Sequence, residues 1–280
     1  MALTPEQVKG RIKNCAKQND ADPRSVLRIY MMERFLERIS ASQYAECFII
    51  KGGILITSMI GVSMRSTMDI DSSIRNINLS EAEIMDIVED ISRINLDDGV
   101  SFVIKDVGSI MEDMEYPGIR VTMDALMGKM TTPIKIDIST GDVVTPRAIE
   151  YSYKLMLEDR SIRLWTYNLE TSLAEKLQTV LSRGTLNTRM RDYYDIHSLL
   201  KLYKAQIEVD VLNKAFKATC EKRGTYLSVQ DCNEIIEAIY QDSQLKKMWS
   251  SYQKKYSYAD WITFETAIQS IKLLIEIAIV

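Results

Sequence analysis

Apolar positions along the chain change their period twice. From Pro5 to about residue 45 they recur at helical spacing, and Val26, Ile29, Tyr30, Phe35, Leu36 and Ile39 trace one stripe. Pro5 with Glu6 suits a first helical turn, and Asp22 before Pro23 is the expected N-cap of a second helix. Between Ala45 and Ile138 short alternating runs take over: Cys47–Ile50, Met68–Ile74, Ser101–Val107, Ile119–Ala125 and Ile134–Ile138. Each has strand length and is bounded by Gly, Pro, Asp or Asn. Helical stretches interrupt them at about 54–60 and 80–94, the second opening on Ser80-x-x-Glu83, a capping-box pattern. Tyr116-Pro117-Gly118 suits a turn between antiparallel strands. From Tyr167 the period is helical again, with Asn168 as a cap, Gly184 as a stop, and a further helix from about Thr188 to Tyr203. Residues 207–280 carry heptad-like apolar positions such as Ile235, Ile236, Ile239, Ile268, Ile271 and Leu274, the pattern of a small helical bundle.

The expected architecture is α+β. N-terminal helices (1–45) pack on a core of 46–166 built on a mixed sheet of about five strands, and a C-terminal helical bundle (167–280) follows. Eleven Gly and five Pro in 280 residues favour long helices over an all-β fold. Hydrophobic residues at 46% and charged residues at 26% exclude a disordered or fibrous chain. There is no apolar run of about eighteen residues and no signal-peptide core at the start, so a cytoplasmic protein without membrane contact is expected. Cys15, Cys47, Cys220 and Cys232 show neither zinc nor disulfide spacing.

Charge narrows the chemistry. With 35 Lys and Arg against 39 Asp and Glu, the net charge of −4 offers no global attraction for polyanions, so any such contact needs a local basic patch. Lys246-Lys247 and Lys254-Lys255, with Tyr252 and Tyr256 able to stack on unpaired bases, are one candidate; a solvated helix face is the other reading. A single histidine, His197, argues against a Ser-His-Asp triad or a His-rich metal site and leaves carboxylates to do the work. It reads as a packing or surface residue.

Three short segments could supply that work. Lys51-Gly52-Gly53 lies between a strand and a helix, where two glycines let backbone N–H groups approach an anion, or simply make a tight turn. In Thr67-Met68-Asp69-Ile70-Asp71, a strand would turn both carboxylates to one face and Met68 and Ile70 to the core. Such a pair is costly unless a cation neutralises it, and magnesium is the natural choice; a solvated strand edge is the alternative. In Ile134-Lys135-Ile136-Asp137-Ile138 the alternation puts Asp137 on a polar face, where it could complete a three-acid cluster suited to two divalent ions.

Taken in order, strand, Gly-Gly, helix, Asp-x-Asp strand and a later strand acid resemble the minimal nucleotidyltransferase core of the DNA polymerase β-like superfamily. Lys51–Gly53, Arg65–Asp71, Ala174–Lys176 and Arg189–Asp192 are similar, in the same order, to four motifs of the AbiEii/AbiGii toxin family. The resemblance covers roughly residues 48–200. It implies a nucleotidyltransferase toxin of a type IV toxin–antitoxin or abortive phage-infection system, acting on a nucleoside triphosphate with Mg²⁺ or Mn²⁺. Relatives transfer nucleotides to the 3′ acceptor end of tRNA, and the antitoxin is expected to act without stably binding the toxin. Transfer to a protein hydroxyl, or a degenerate nucleotide-binding module, are the alternatives.

By the same resemblance Asp69, Asp71 and Asp137 are metal and catalytic carboxylates, and Lys176 and Asp192 are catalytic. Lys51, Gly52, Gly53, Arg65 and Thr67 are nucleotide-binding, although Lys51 and Arg65 could equally be surface charges. Lys176 on a helix is a compact cation for a triphosphate. Asp192 and Asp195, three apart, share a polar helical face that must meet either a cleft or water, unless Arg189, Arg191 and these acids form a solvated salt-bridged surface.

Overall fold

A computed structural model of the chain describes residues 3–110 and 118–279. It folds as two compact units, Met1–Asp142 with Ile149–Thr166, and Val143–Ala148 with Tyr167–Val280. No helix among the described residues is long and apolar enough to cross a membrane.

The first unit begins with α1 (Pro5–Gln18), capped by Thr4 in a complete capping box with Gln7, and α2 (Pro23–Ala41). Asp22 caps α2 as the sequence suggests, accepting from the backbone N–H groups of Arg24 and Ser25. The remaining elements are β1 (Phe48–Lys51), α3 (Gly52–Ile60), β2 (Ile70–Ile74), α4 (Glu81–Ser92), β3 (Ser101–Ile110), β4 (Gly118–Met127), β5 (Met130–Thr140), β6 (Ile149–Lys154) and β7 (Ser161–Thr166). Ser80 caps α4 through the Glu83 N–H. Tyr116 and Pro117 of the expected turn lie outside the described residues.

The strands form one mixed seven-stranded sheet in the order β3-β4-β5-β2-β1-β7-β6. Five of them coincide with the five expected runs; β6 and β7 are additional. Both are short, and β7 earns its place by pairing in parallel with β1, a strand more than a hundred positions earlier, which no local pattern announces. At the other end β4 and β5 form a hairpin whose two-residue turn is Gly128-Lys129, with Gly128 at φ 57°.

The stripe on α2 is buried as its spacing requires, but so are Glu33, Arg34 and Arg38, which that spacing does not mark as core. Arg38 forks onto Asp98 at 2.8 and 2.9 Å and donates to the Val100 carbonyl at 2.7 Å, fixing the entry to β3. Arg34 pairs with Glu158 in the β6–β7 turn, at 2.7 Å. Glu33 accepts from the Met156 N–H at 3.0 Å and from the Tyr153 hydroxyl at 3.4 Å. Polar pins on one helix thus hold both outer parts of the sheet.

The second unit contains α5 (Leu169–Arg183), α6 (Met190–Tyr203), α7 (Val209–Lys222), α8 (Val229–Gln241), α9 (Ser243–Lys255) and α10 (Phe264–Ala278). Asn168 caps α5 by accepting from the Thr171 N–H, and Gly184 ends it at φ 52°. Residues 143–148, inside the expected 46–166 block, belong to this helical unit. The Asn168 side chain donates to the Thr145 carbonyl at 2.7 Å, and the Thr145 N–H donates to the Thr171 hydroxyl at 3.1 Å.

Burial pushes the Glu33 carboxyl up to about 8, against the opposing pull of Arg34, the Met156 N–H and Tyr153. The folded state therefore holds a proton that the unfolded chain releases near its ordinary pKa of about 4.3. This contribution to stability is complete below that value and is lost as pH rises toward 8. Glu33→Gln, which keeps an acceptor for Met156, is expected to gain stability relative to the native protein as pH rises from 5 to 8. Chemical denaturation across that range, giving a difference that grows with pH, is the check.

Candidate active site

Strand register builds the site. Lys51 on β1 stands opposite Asp71 on β2, Asp71 opposite Asp137 on β5, and Asp137 opposite Arg120 on β4. Directly opposed residues on neighbouring strands project to the same face, so four strands present a lateral row of cation, anion, anion, cation. Asp69, two positions before Asp71, joins from the approach to β2. One carboxylate oxygen from each of Asp69, Asp71 and Asp137 falls within 4.8 Å of the others.

The Gly-Gly pair is a steric requirement of this cluster. Gly52 has φ 63°, and a Cβ there would sit 2.0 Å from Asp71 Oδ2. A Cβ on Gly53 would sit 2.4 Å from Thr67 Oγ1 and 2.9 Å from Arg65 Nη1. With neither present, the Gly53 N–H at the start of α3 donates to Asp71 Oδ2 at 3.2 Å. The anion the glycines approach is thus the protein's own carboxylate, placed at the positive end of a helix.

Burial raises the Asp71 carboxyl to about 6, the Asp69 charge adds to the rise, and the Gly53 N–H, together with Lys51, opposes it. A group in this state gains most from a bound cation, which favours its ionised form. The donor set is all oxygen, which suits a hard cation such as Mg²⁺ or Mn²⁺. The three carboxylates therefore fit a divalent ion.

The surrounding residues are held firmly. Lys51 Nζ donates to Ser139 Oγ at 2.9 Å and to Asp142 Oδ2 at 2.7 Å. Asp142 is buried, yet its carboxyl lies below the usual range because Lys51, Ser139 and Ser73 outweigh the effect of burial. Arg65 is buried and donates to the Ser66 carbonyl at 2.8 Å, and Thr67 Oγ1 donates to the Asp69 carbonyl at 3.3 Å. Neither Lys51 nor Arg65 is the surface charge that was one reading of each. Met68 corrects the expected strand pattern. β2 starts only at Ile70, so Met68 lies outside the pleat, 44% exposed, with Arg28 against its sulfur.

Arg120, Ser139 and Asp142 were missed as candidates. Arg120 was within reach: counting back from the Gly128-Lys129 turn pairs it with Asp137. Its Nε and Nη2 fork onto the two oxygens of Asp137, each at 2.7 Å.

In the helical unit a second charged group forms. Lys176 Nζ on α5 lies 2.8 Å from Asp192 and 2.7 Å from Asp195, both on α6, and Arg189 Nε lies 3.3 Å from Asp192. Asp195 is fully buried and Asp192 nearly so. Their helical face is buried rather than open to water. It closes on Lys176, because two buried carboxylates need an adjacent cation. Tyr252 is likewise corrected as a base-stacking candidate: it is buried among Tyr194, Trp249, Tyr256 and Tyr258. His197 packs internally, its Nδ1 2.8 Å from Ser270 Oγ.

Residues 34–270 match the family described as "Nucleotidyl transferase AbiEii toxin, Type IV TA system". The chain belongs to that family, a family of nucleotidyltransferase toxins. Its fold is similar to the crystal structure of JHP933 from Helicobacter pylori, at 14% identity and a TM-score of 0.53, with 91% of each chain covered. A candidate nucleotidyltransferase from the same species is similar at 15% identity and a TM-score of 0.50, covering 91% of this chain and 94% of the other. No curated protein matches the sequence.

Two outcomes follow from this geometry. Gly52→Ala is expected to lower stability by about 2 kcal/mol, from the positive φ and the clash with Asp71. Chemical denaturation measures that loss, and Mn²⁺ binding should weaken with it as Asp71 is displaced. Lys176→Met leaves two buried carboxylates without their shared cation and should cost about 3 kcal/mol. An unchanged urea midpoint would show that the buried group contributes nothing to folding.

Proposed function

We infer that this chain is the toxin of a type IV toxin–antitoxin or abortive-infection pair. It transfers a nucleotidyl group from a nucleoside triphosphate to RNA, with the 3′ acceptor end of tRNA as the expected target. The observation that carries the reading is the convergence of Asp69, Asp71 and Asp137, in a chain of this family, at a helix start shaped by Gly52 and Gly53.

The acceptor hydroxyl oxygen forms a bond to the α-phosphorus while the bond from that phosphorus to the bridging oxygen breaks in line. Pyrophosphate leaves with the electron pair, and the hydroxyl proton passes to a carboxylate of the cluster. Asp69, Asp71 and Asp137 would hold Mg²⁺ or Mn²⁺, which when bound activates the attacking oxygen and steadies the leaving pyrophosphate. The Gly53 N–H fixes the Asp71 oxygen, and Thr67 fixes the Asp69 backbone. Lys51 moderates the negative charge of the cluster from within its hydrogen bonds to Ser139 and Asp142. Arg65 shapes the wall against Gly53. Lys176 is the residue assigned to the triphosphate and Asp192 to its positioning, both through the family motifs. The antitoxin acts in the same cytoplasm without a stable complex with this chain.

Purified protein incubated with total tRNA, Mg²⁺ and each labelled nucleoside triphosphate in turn should yield labelled RNA. Asp69→Ala, folded as judged by thermal unfolding, should reduce labelling by about 10³-fold. Label on protein instead of RNA would move the acceptor to a protein hydroxyl. No label on either, with nucleotide binding indifferent to Mg²⁺, would make the chain a binding module.

A further inference from the structure

Asp137 is unlike the other two acids of the cluster. Both of its oxygens accept short, charge-assisted bonds from one guanidinium, Arg120, directly opposite it across the β4–β5 pair. A divalent ion taking an Asp137 oxygen would arrive beside that guanidinium and repel it. Arg120 also has somewhere to go. Its side chain is 41% exposed, and its neighbour on the far side, on β3, is Gly108, beside which the Asp106 carboxylate lies. The planar fork that grips a carboxylate grips phosphate oxygens equally well.

We propose that Arg120 is an exchangeable counter-ion, neutralising Asp137 until a divalent cation takes that carboxylate, and then turning to the triphosphate of the nucleotide. This rests on the reading of Asp69, Asp71 and Asp137 as a cation site. The row explains why the exchange is available here and not at the other end. Lys51 is 11% exposed and pinned by Ser139 and the buried Asp142, so the Asp71 end is fixed. The Asp137 end has its cation on the exposed side of the row. That exposure leaves the guanidinium room to change partner.

The two roles predict opposite signs. Removing a competitor tightens metal binding, and removing a phosphate ligand weakens nucleotide binding. Mn²⁺ alone, titrated by electron paramagnetic resonance, should bind Arg120→Gln about fivefold tighter than the native protein. Non-hydrolysable α,β-methylene analogues of the four nucleoside triphosphates, titrated in saturating Mn²⁺, should bind it about tenfold more weakly. Arg120→Lys keeps the charge and loses the fork; it should shift both affinities in the same directions by less, and it carries the test if Arg120→Gln does not fold. Mn²⁺ binding unchanged or weakened in these variants overturns the proposal and leaves Arg120 as a brace. Tighter Mn²⁺ with unchanged nucleotide affinity overturns it as well. Asp69→Ala separates the two levels: if it binds Mn²⁺ as the native protein does, the cation site itself fails and the exchange fails with it.

Discussion

Two carboxylates directly opposed on adjacent parallel strands, with a third beside them, are the constraint around which the first unit is arranged. At an effective dielectric of about 20, like charges about 5 Å apart repel by about 3 kcal/mol. That repulsion is offset laterally and from above: Lys51 and Arg120 stand at the ends of the row, and the α3 N-terminus donates a hydrogen bond to Asp71. Burial above all, with the Asp69 and Asp137 charges adding to it, still holds the Asp71 carboxyl above its ordinary range. An incompletely neutralised cluster is what a cation site requires, because a fully compensated one would have no affinity left to offer.

The backbone answers to the same constraint. Asp71 reaches the start of α3 only because Gly52 lacks a side chain, and the bare Cα of Gly53 admits Thr67 and Arg65. The motif residues around the glycines are therefore one packed object, in which the glycines clear the space, Thr67 and Arg65 form its wall, and Asp71 fills it. Outside this object the sheet is held by a different device. Glu33, Arg34 and Arg38 on α2 pin the entrance of β3 and the β6–β7 turn, so the apolar stripe of α2 supplies burial while its polar residues supply location.

The helical unit handles charge differently. Lys176 is shared by Asp192 and Asp195 in a buried group, so these charges first satisfy one another. Any contribution of Lys176 to a triphosphate starts from that neutralised state. The same unit absorbs Tyr252 into an aromatic core, while Tyr256 beside it stays half-exposed with Lys255 over its ring.

Sequence alone determined the local features. Asp22, Ser80 and Asn168 cap helices where their side chains precede an apolar period, because capping depends only on neighbours a few residues away. Five strands follow from alternation, and the pairing of Arg120 with Asp137 is implicit in a two-residue turn whose register is fixed by its length. The order of four motifs was enough to mark the family. Only the tertiary structure decided the rest. The Asp71–Asp137 opposition comes from a parallel pair between strands far apart in the chain, and β7 joins the sheet in the same way. Likewise, spacing on α6 put Asp192 and Asp195 on one face, but which partner that face meets depended on the docking of α5. Short-range geometry is written in the chain; long-range pairing is settled by which surfaces bury one another, and that is a property of the whole fold.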